Sequence, residues 1–432
     1  MRGADLVLMA QHSRWQRAQA SNNTTLVLHC DGPLDPSRVR RALDRLVDLC
    51  PWPAARLHRP FPWGKLRWTA GPRATLVPPL VLHRAARTDA ELHRILESEL
   101  NDAIDPRHEA PVRFTVIDIG SEMAPARGVL VATWFHPLMD PRGGQNLLAH
   151  LAQLDADTAS ARSPETLPPF VATPPARQPL RERGRVARRS LEYMRTLAPV
   201  PPVSPGTQMT TPGPSRFRRD TFVERDPTDR PKRGTREIAW RLAVVGKAMA
   251  ELWQRRGLPD VPFLLPIAVD LRPRGEAGPV FGNLLAFHFA RFRPSATADV
   301  PALARALRQQ MAEAVRDGQI DANAVAMEFL QYRPLATMLR ALPWTSSGDI
   351  FSFNCADLAD VPPALDRVFG RGVVNAYHVP CVLPRPGIGV FFNRCAGVNN
   401  LVVSWVDGAV AADEAAHIVE IVGEEMAWTR TS

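Results

Sequence analysis

At 432 residues the chain exceeds one ordinary domain and fits two or three, and its 45% apolar content suffices for large buried cores. The net charge of +9 is carried almost wholly by arginine; it suits phosphates, acidic proteins or anionic lipid, or is simply a solvated surface, and no nucleic-acid-binding motif accompanies it, so no nucleic-acid partner is expected. No apolar run approaches the roughly 18 residues of a membrane span, no charged-then-apolar leader opens the chain, and the five cysteines are scattered without CxxC spacing, which argues against a transmembrane segment, a disulfide framework and a zinc site and makes a cytoplasmic location the default.

The first elements read strand, turn, helix. Residues 24–29 are rich in β-formers and Asp31-Gly32-Pro33 breaks them. Asp35-Pro36 then pairs a good N-cap with a proline at the first helical position, and Val39, Leu43, Leu46 and Val47 recur at helical spacing until Cys50-Pro51. A second helix is expected over Asp89 to Asn101, strands over Val112 to Ile119 and Val129 to Phe135, and a helix from Gly144 to about Leu154. From 155 to 235 the chain is crowded with proline and arginine and reads as an extended linker with one helix near Arg183 to Leu197.

A second folded half is expected over 236–432, after a first over 1–154. It reads as a helix from Thr235 to Arg256, strands over Phe263 to Val269 and Asn283 to Phe292, and helices over Pro301 to Arg316 and Ala324 to Leu342. Strands follow over Ile350 to Cys355, Ile388 to Cys395 and Leu401 to Trp405, then a helix from Ala411 to Trp428. Both halves mix strands and helices, so the expected class is α+β, as two lobes joined by a long linker.

The most informative stretch is His136-Pro137-Leu138-Met139-Asp140. An apolar strand ends in the histidine, a tight turn carries the aspartate, and Gly143-Gly144 opens a helix. A histidine beside a helix N-terminus can take a proton next to a place that favours developing negative charge, which is the chemistry of acyl transfer. Any metal at His136 and Asp140 would need a third ligand at suitable spacing, and no metal site is expected. His288, on a strand, and His378, in a loop, read as core or surface residues.

Together with Val269-Asp270-Leu271-Arg272-Pro273-Arg274 and Phe281-Gly282-Asn283, this motif resembles the chloramphenicol-acetyltransferase-like superfamily, which includes condensation domains, wax ester synthases, BAHD acyltransferases and polyketide-associated acyltransferases. The HxxxD motif, the opening strand with Gly32-Pro33-Leu34-Asp35, and Phe351-Ser352-Phe353-Asn354, similar to the family's crossover strand, spread the resemblance over nearly the whole chain outside the linker. It implies two chloramphenicol-acetyltransferase-like lobes, each a mixed sheet with helices, forming a V-shaped pseudo-dimer with a central cleft.

The resemblance also implies roles. His136 would be the general base. Asp140 would be a structural aspartate paired with Arg272. Gly143 and Gly144 would offer N–H groups to an oxyanion, and Asn283 and Ser352 would line the cleft. No cofactor would be bound permanently; the acyl donor would be acyl-coenzyme A or a phosphopantetheinyl carrier protein, possibly an acidic one, and the acceptor a hydroxyl or an amine, in secondary metabolism or lipid biosynthesis. The sequence departs from HHxxxDG at Phe135 and at Pro141, which has no N–H to donate, and a non-catalytic condensation-like module that binds a carrier or partner stays open beside the enzyme.

Overall fold

The structure is a computed structural model that describes residues 3–15, 21–61, 64, 66–71, 76–120, 127–159, 179–197, 200, 202–206, 211–225, 235–272, 281–330, 335 and 351–431. Helix α1 (Gly3–Trp15) precedes strand β1 (Asn23–Cys30) and helix α2 (Pro36–Leu49). Asp35 caps α2 by accepting the Ser37 N–H at 2.8 Å, and Val39, Ala42, Leu43 and Leu46 form its buried stripe. A short ribbon, β2 (Arg56–His58) with β3 (Arg67–Thr69), leads to β4 (Leu80–Ala86). Thr88 then caps α3 (Asp89–Asn101) through the Glu91 N–H, and β5 (Val112–Ile119), β6 (Arg127–Phe135), α4 (Pro141–Ala159) and α5 (Leu180–Leu197) follow.

Further along lie β7 (Ser215–Glu224), α6 (Thr235–Arg255), β8 (Phe263–Asp270), β9 (Leu285–Phe292), α7 (Val300–Arg316) and α8 (Gln319–Leu330). The last part contains β10 (Asn354–Asp360), β11 (Arg367–Val368), β12 (Arg371–Pro380), β13 (Ile388–Cys395), β14 (Val398–Val406), α9 (Ala412–Glu425) and β15 (Trp428–Arg430). A six-stranded sheet has the order β11-β12-β1-β6-β5-β4 and a five-stranded sheet the order β10-β13-β14-β7-β15, with β8-β9 a separate antiparallel pair. The class is α+β, with two lobes that each set helices against a mixed sheet.

The strands depart from the expected division at 154 and 236: one from the supposed linker joins the second sheet, and two from the second half join the first. β7, inside the supposed linker, pairs with both β14 and β15 in the second sheet. β12, from the second half, pairs with β1 over Thr24↔Pro380 to Cys30↔Val373 in the first sheet. β7 escapes a composition argument because its arginines are satisfied inside the fold. Arg216 donates to Glu97 and Arg218 to Asp220, each at 2.7 Å, while Phe217 and Phe222 are buried. Of the rest of the supposed linker, residues 160–178, 198–199, 201, 207–210 and 226–234 lie outside the described residues.

Other boundaries also move. The strand expected at Ile350 begins at Asn354, after a bend at Phe351-Ser352. The last helix stops at Glu425 and Trp428 opens β15 instead. α8 ends at Leu330, and most of the continuation expected to Leu342 lies outside the described residues. At the seam between lobes, Asn375 and Asn400 exchange side-chain hydrogen bonds at 3.0 and 2.9 Å, and Asn393 Oδ1 accepts the His378 N–H at 3.0 Å. The largest core fills the space between the first sheet, the second sheet, α6 and α9; a second lies under α2 and α4.

Candidate active site

β6 delivers the motif. Its apolar run buries Trp134 and Phe135 completely, and the chain then tightens into a single 3-10 turn, His136–Leu138. The turn is held by backbone: the His136 N–H donates to Asn22 O at 2.8 Å, and Met139 O accepts Trp134 Nε1–H at 2.9 Å and His136 Nδ1 at 3.3 Å. A ring that gives its Nδ1 proton to a carbonyl carries its lone pair on Nε2. His136 is half-buried, and burial pushes its pKa below the usual 6.5, so the ring is neutral at neutral pH.

Asp140 is 1% exposed and its two oxygens accept four hydrogen bonds. Arg272 reaches it bidentately, Nη1 to Oδ2 at 3.0 Å and Nη2 to Oδ1 at 2.9 Å. The Gly143 N–H donates to Oδ1 at 2.8 Å and the Leu284 N–H to Oδ2 at 3.0 Å. Arg272 also binds Gly282 O and Asp270 Oδ1, at 2.8 and 3.0 Å. Burial works against its charge, but Asp140 and then Asp270 outweigh it and raise the pKa. The structure thus brings Asp140 and Arg272 together as one tie between the motif turn and the second lobe.

The two glycines do a different job from the one expected. Helix α4 begins at Pro141, not at Gly144, and Asp140 caps it. The Gly143 N–H is taken by the Asp140 carboxylate and the Gly144 N–H by Asp140 O at 3.0 Å, so neither is left for an oxyanion. What these positions need is the absence of a side chain. A Cβ on Gly143 would stand 2.2 Å from Phe281 O, and one on Gly144 2.6 Å from the Trp134 ring. Pro141 fits without strain at the first turn of α4, where its missing N–H leaves no bond unmade.

Asn283 and Ser352 separate. Asn283, 2% exposed, donates from Nδ2 to His136 O at 3.2 Å, and its Oδ1 is buried with no hydrogen-bond partner among the described residues. Ser352 is completely buried. Its Oγ accepts the Leu264 N–H at 3.0 Å and its N–H donates to Leu264 O, so it splices the bend before β10 onto β8 rather than lining a cleft.

Sequence reasoning missed the groups that fix the turn: the Asn22 and Met139 carbonyls and the Trp134 indole N–H carry no motif. It also placed His378 in a loop, whereas His378 lies on β12, fully buried and perpendicular to Trp134 at 6.2 Å between centroids. Burial lowers its pKa to about 4. A strand signal was present in Val373-Val374 and Tyr377-His378-Val379, but the flanking Gly370, Gly372 and Pro380 read as loop. Among the described residues no group of three or more His, Cys, Asp or Glu side chains could hold a metal ion, and no helix is long and apolar enough to cross a membrane.

Neither a protein-family model nor a curated protein matches this sequence. Solved structures do match its fold along almost the entire length. Trichothecene 15-O-acetyltransferase from Fusarium sporotrichioides is similar with a TM-score of 0.73 at 11% identity, over 99% of this chain and 94% of that one. The first condensation domain of the calcium-dependent antibiotic synthetase, in complex with a substrate analogue, gives 0.66 at 15% identity, over 97% and 96%. The starter condensation domain of rhizomide synthetase gives 0.59 at 13% identity, over 97% and 95%. The fold is therefore one shared with condensation domains and an O-acetyltransferase, the fold that the motifs implied.

Proposed function

We propose that this protein is an acyltransferase that moves an acyl group from a thioester, on coenzyme A or on the phosphopantetheine arm of a carrier protein, to a hydroxyl or amine, with His136 as the general base. The observation that carries this reading is the fixed, neutral His136 ring: Nδ1 tied to Met139 O, Nε2 left basic, the pKa lowered by burial. In the reaction Nε2 takes the proton of the acceptor O–H or N–H as its heavy atom bonds to the thioester carbonyl carbon. The tetrahedral adduct then expels the thiolate as the C–S bond breaks, and the imidazolium returns the proton to sulfur. Asp140 and Arg272 position the turn and take no part in proton transfer. The fold's solved neighbours support acyl transfer as the class; one rhizomide synthetase structure holds C8-CoA and Leu-SNAC.

One observation favours the alternative, a condensation-like module that binds a carrier or partner without turnover. Pro141 has no N–H, and the N–H groups of Gly143 and Gly144 are both spent on Asp140. Incubation with a panel of acyl thioesters and hydroxyl or amine acceptors, read by product mass spectrometry, decides between them. A new ester or amide that disappears with His136→Ala is the expected result; binding without product in any pairing would establish the module.

A further inference from the structure

Helix α5 carries a row of arginines that the candidate site does not use. Arg181, Arg188 and Arg195 recur every seventh residue, so they lie at nearly one azimuth, with Arg185 between the first two. At about 1.5 Å per residue the row is roughly 21 Å long. All four are exposed, as is Arg189 at the margin, and among the described residues none of the five has an ion-pair partner. The contrast is Arg183 on the inner side, which pairs with Glu328 and lies over the Phe329 ring. Leu180 and Leu191, 71% and 58% exposed, flank the row.

The helix is a fixed platform. Ala187, Ser190 and Leu197 are buried, Tyr193 Oη donates to Phe289 O at 2.8 Å, and Arg291 donates to Leu197 O at 2.6 Å. α5 packs on α8, α8 packs on α1, and α1 packs against the turn that holds His136.

We propose that this face of α5 docks an acidic protein surface, a partner helix that presents carboxylates at the same spacing. Three features separate such a partner from other polyanions. Glu192 interrupts the row; it would repel a phosphate backbone, whereas a protein can place a cation or a gap opposite it. The two exposed leucines ask for an apolar complement, which protein interfaces supply beside their charges. The apolar side of α5 is already used against α8 and β9, so the helix has no broad apolar face to sink into a bilayer. On the acyl-transfer reading, on which this clause rests, the docked partner is the protein that carries the thioester.

The test compares two donors with one variant, Arg181→Glu/Arg188→Glu/Arg195→Glu, in the full chain. Octanoyl-loaded acyl carrier protein supplies an acidic macromolecular donor; octanoyl-coenzyme A supplies the same acyl group without a protein. The expected result is a fall of about 10- to 100-fold in kcat/KM for the carrier at low salt, shrinking as salt rises, with coenzyme A turnover unchanged and the Arg→Lys triple variant near wild type. An equal effect on both donors, or none on the carrier, overturns the docking surface. If wild type turns over neither donor, the acyl-transfer reading fails on its own, and the surface is judged by anisotropy of fluorescein-labelled carrier protein. Binding lost on charge reversal then supports it; binding unchanged, or a loss seen instead for a 20-base-pair DNA duplex or phosphatidylserine vesicles, overturns it.

Discussion

His136 is held at its backbone N–H, its carbonyl and one ring nitrogen, which leaves Nε2 as the ring atom free to accept a proton. His136→Ala is expected to lower acyl transfer by about 100- to 10,000-fold while leaving the melting temperature close to wild type; turnover within a few-fold of wild type would remove the residue from the chemistry. Because burial lowers the His136 pKa, the base stays unprotonated below pH 6.5 and kcat/KM holds its plateau there before falling in acid. A pH–rate profile with its acid limb above 6.5 would contradict a buried neutral base. Asp140 and Arg272 belong to structure: removing Arg272 leaves Asp140 buried without its counter-ion, at about 3–5 kcal/mol, and removing Asp140 costs less because Arg272 keeps Asp270. Urea unfolding of Asp140→Asn, Arg272→Ala and the double variant should give a coupling energy well above zero, and additivity would mean the pair is not a unit. The Asp140–Arg272 pair was legible in the sequence, because the two meet through side chains at motif positions. The tasks of Gly143, Gly144 and Ser352 were not, because they depend on which backbone atom of a distant segment lies opposite.

Among the elements, α4 shows how closely its neighbours approach. Gly143→Ala places a methyl against Phe281 O, a backbone atom that cannot swing aside, and should destabilise by about 1–3 kcal/mol by forcing α4 away from the segment entering β9. Gly184→Ala on α5 meets nothing within 4 Å and should instead stabilise by about 1 kcal/mol through helix propensity. Thermal melts of the two variants against wild type check both signs; equal shifts would show that the close approach does not matter. Helices α2, α3 and α7 were readable because their caps and apolar stripes are local, and α6 because its apolar periodicity is. β4, β7 and β12 were not, since their partners lie far along the chain and their exposed or ion-paired residues blur the two-residue period.

For the whole molecule, acid is the revealing condition. Burial lowers the pKa values of His12, His29, His288 and His378 to about 4. In the unfolded chain the same rings take up protons near 6.5, so between 6.5 and 4 the unfolded state binds more protons and stability falls as pH falls. The urea midpoint should decline through that window, and less steeply in His378→Gln; a flat midpoint would mean these rings charge without unfolding.

The pairing of β1 with β12 also sets a clock on synthesis. Thr25 and Val379 are 354 residues apart, so β1 leaves the ribosome long before its outer neighbour exists. At about 5–20 residues per second the wait is roughly 20–70 s. Through that interval β6 can cover one edge of β1 while the other stays open, a template for pairing with a second nascent chain. A chain stopped just before Arg371 should therefore accumulate as aggregate, and adding the missing segment as a separate peptide during translation should recover soluble protein.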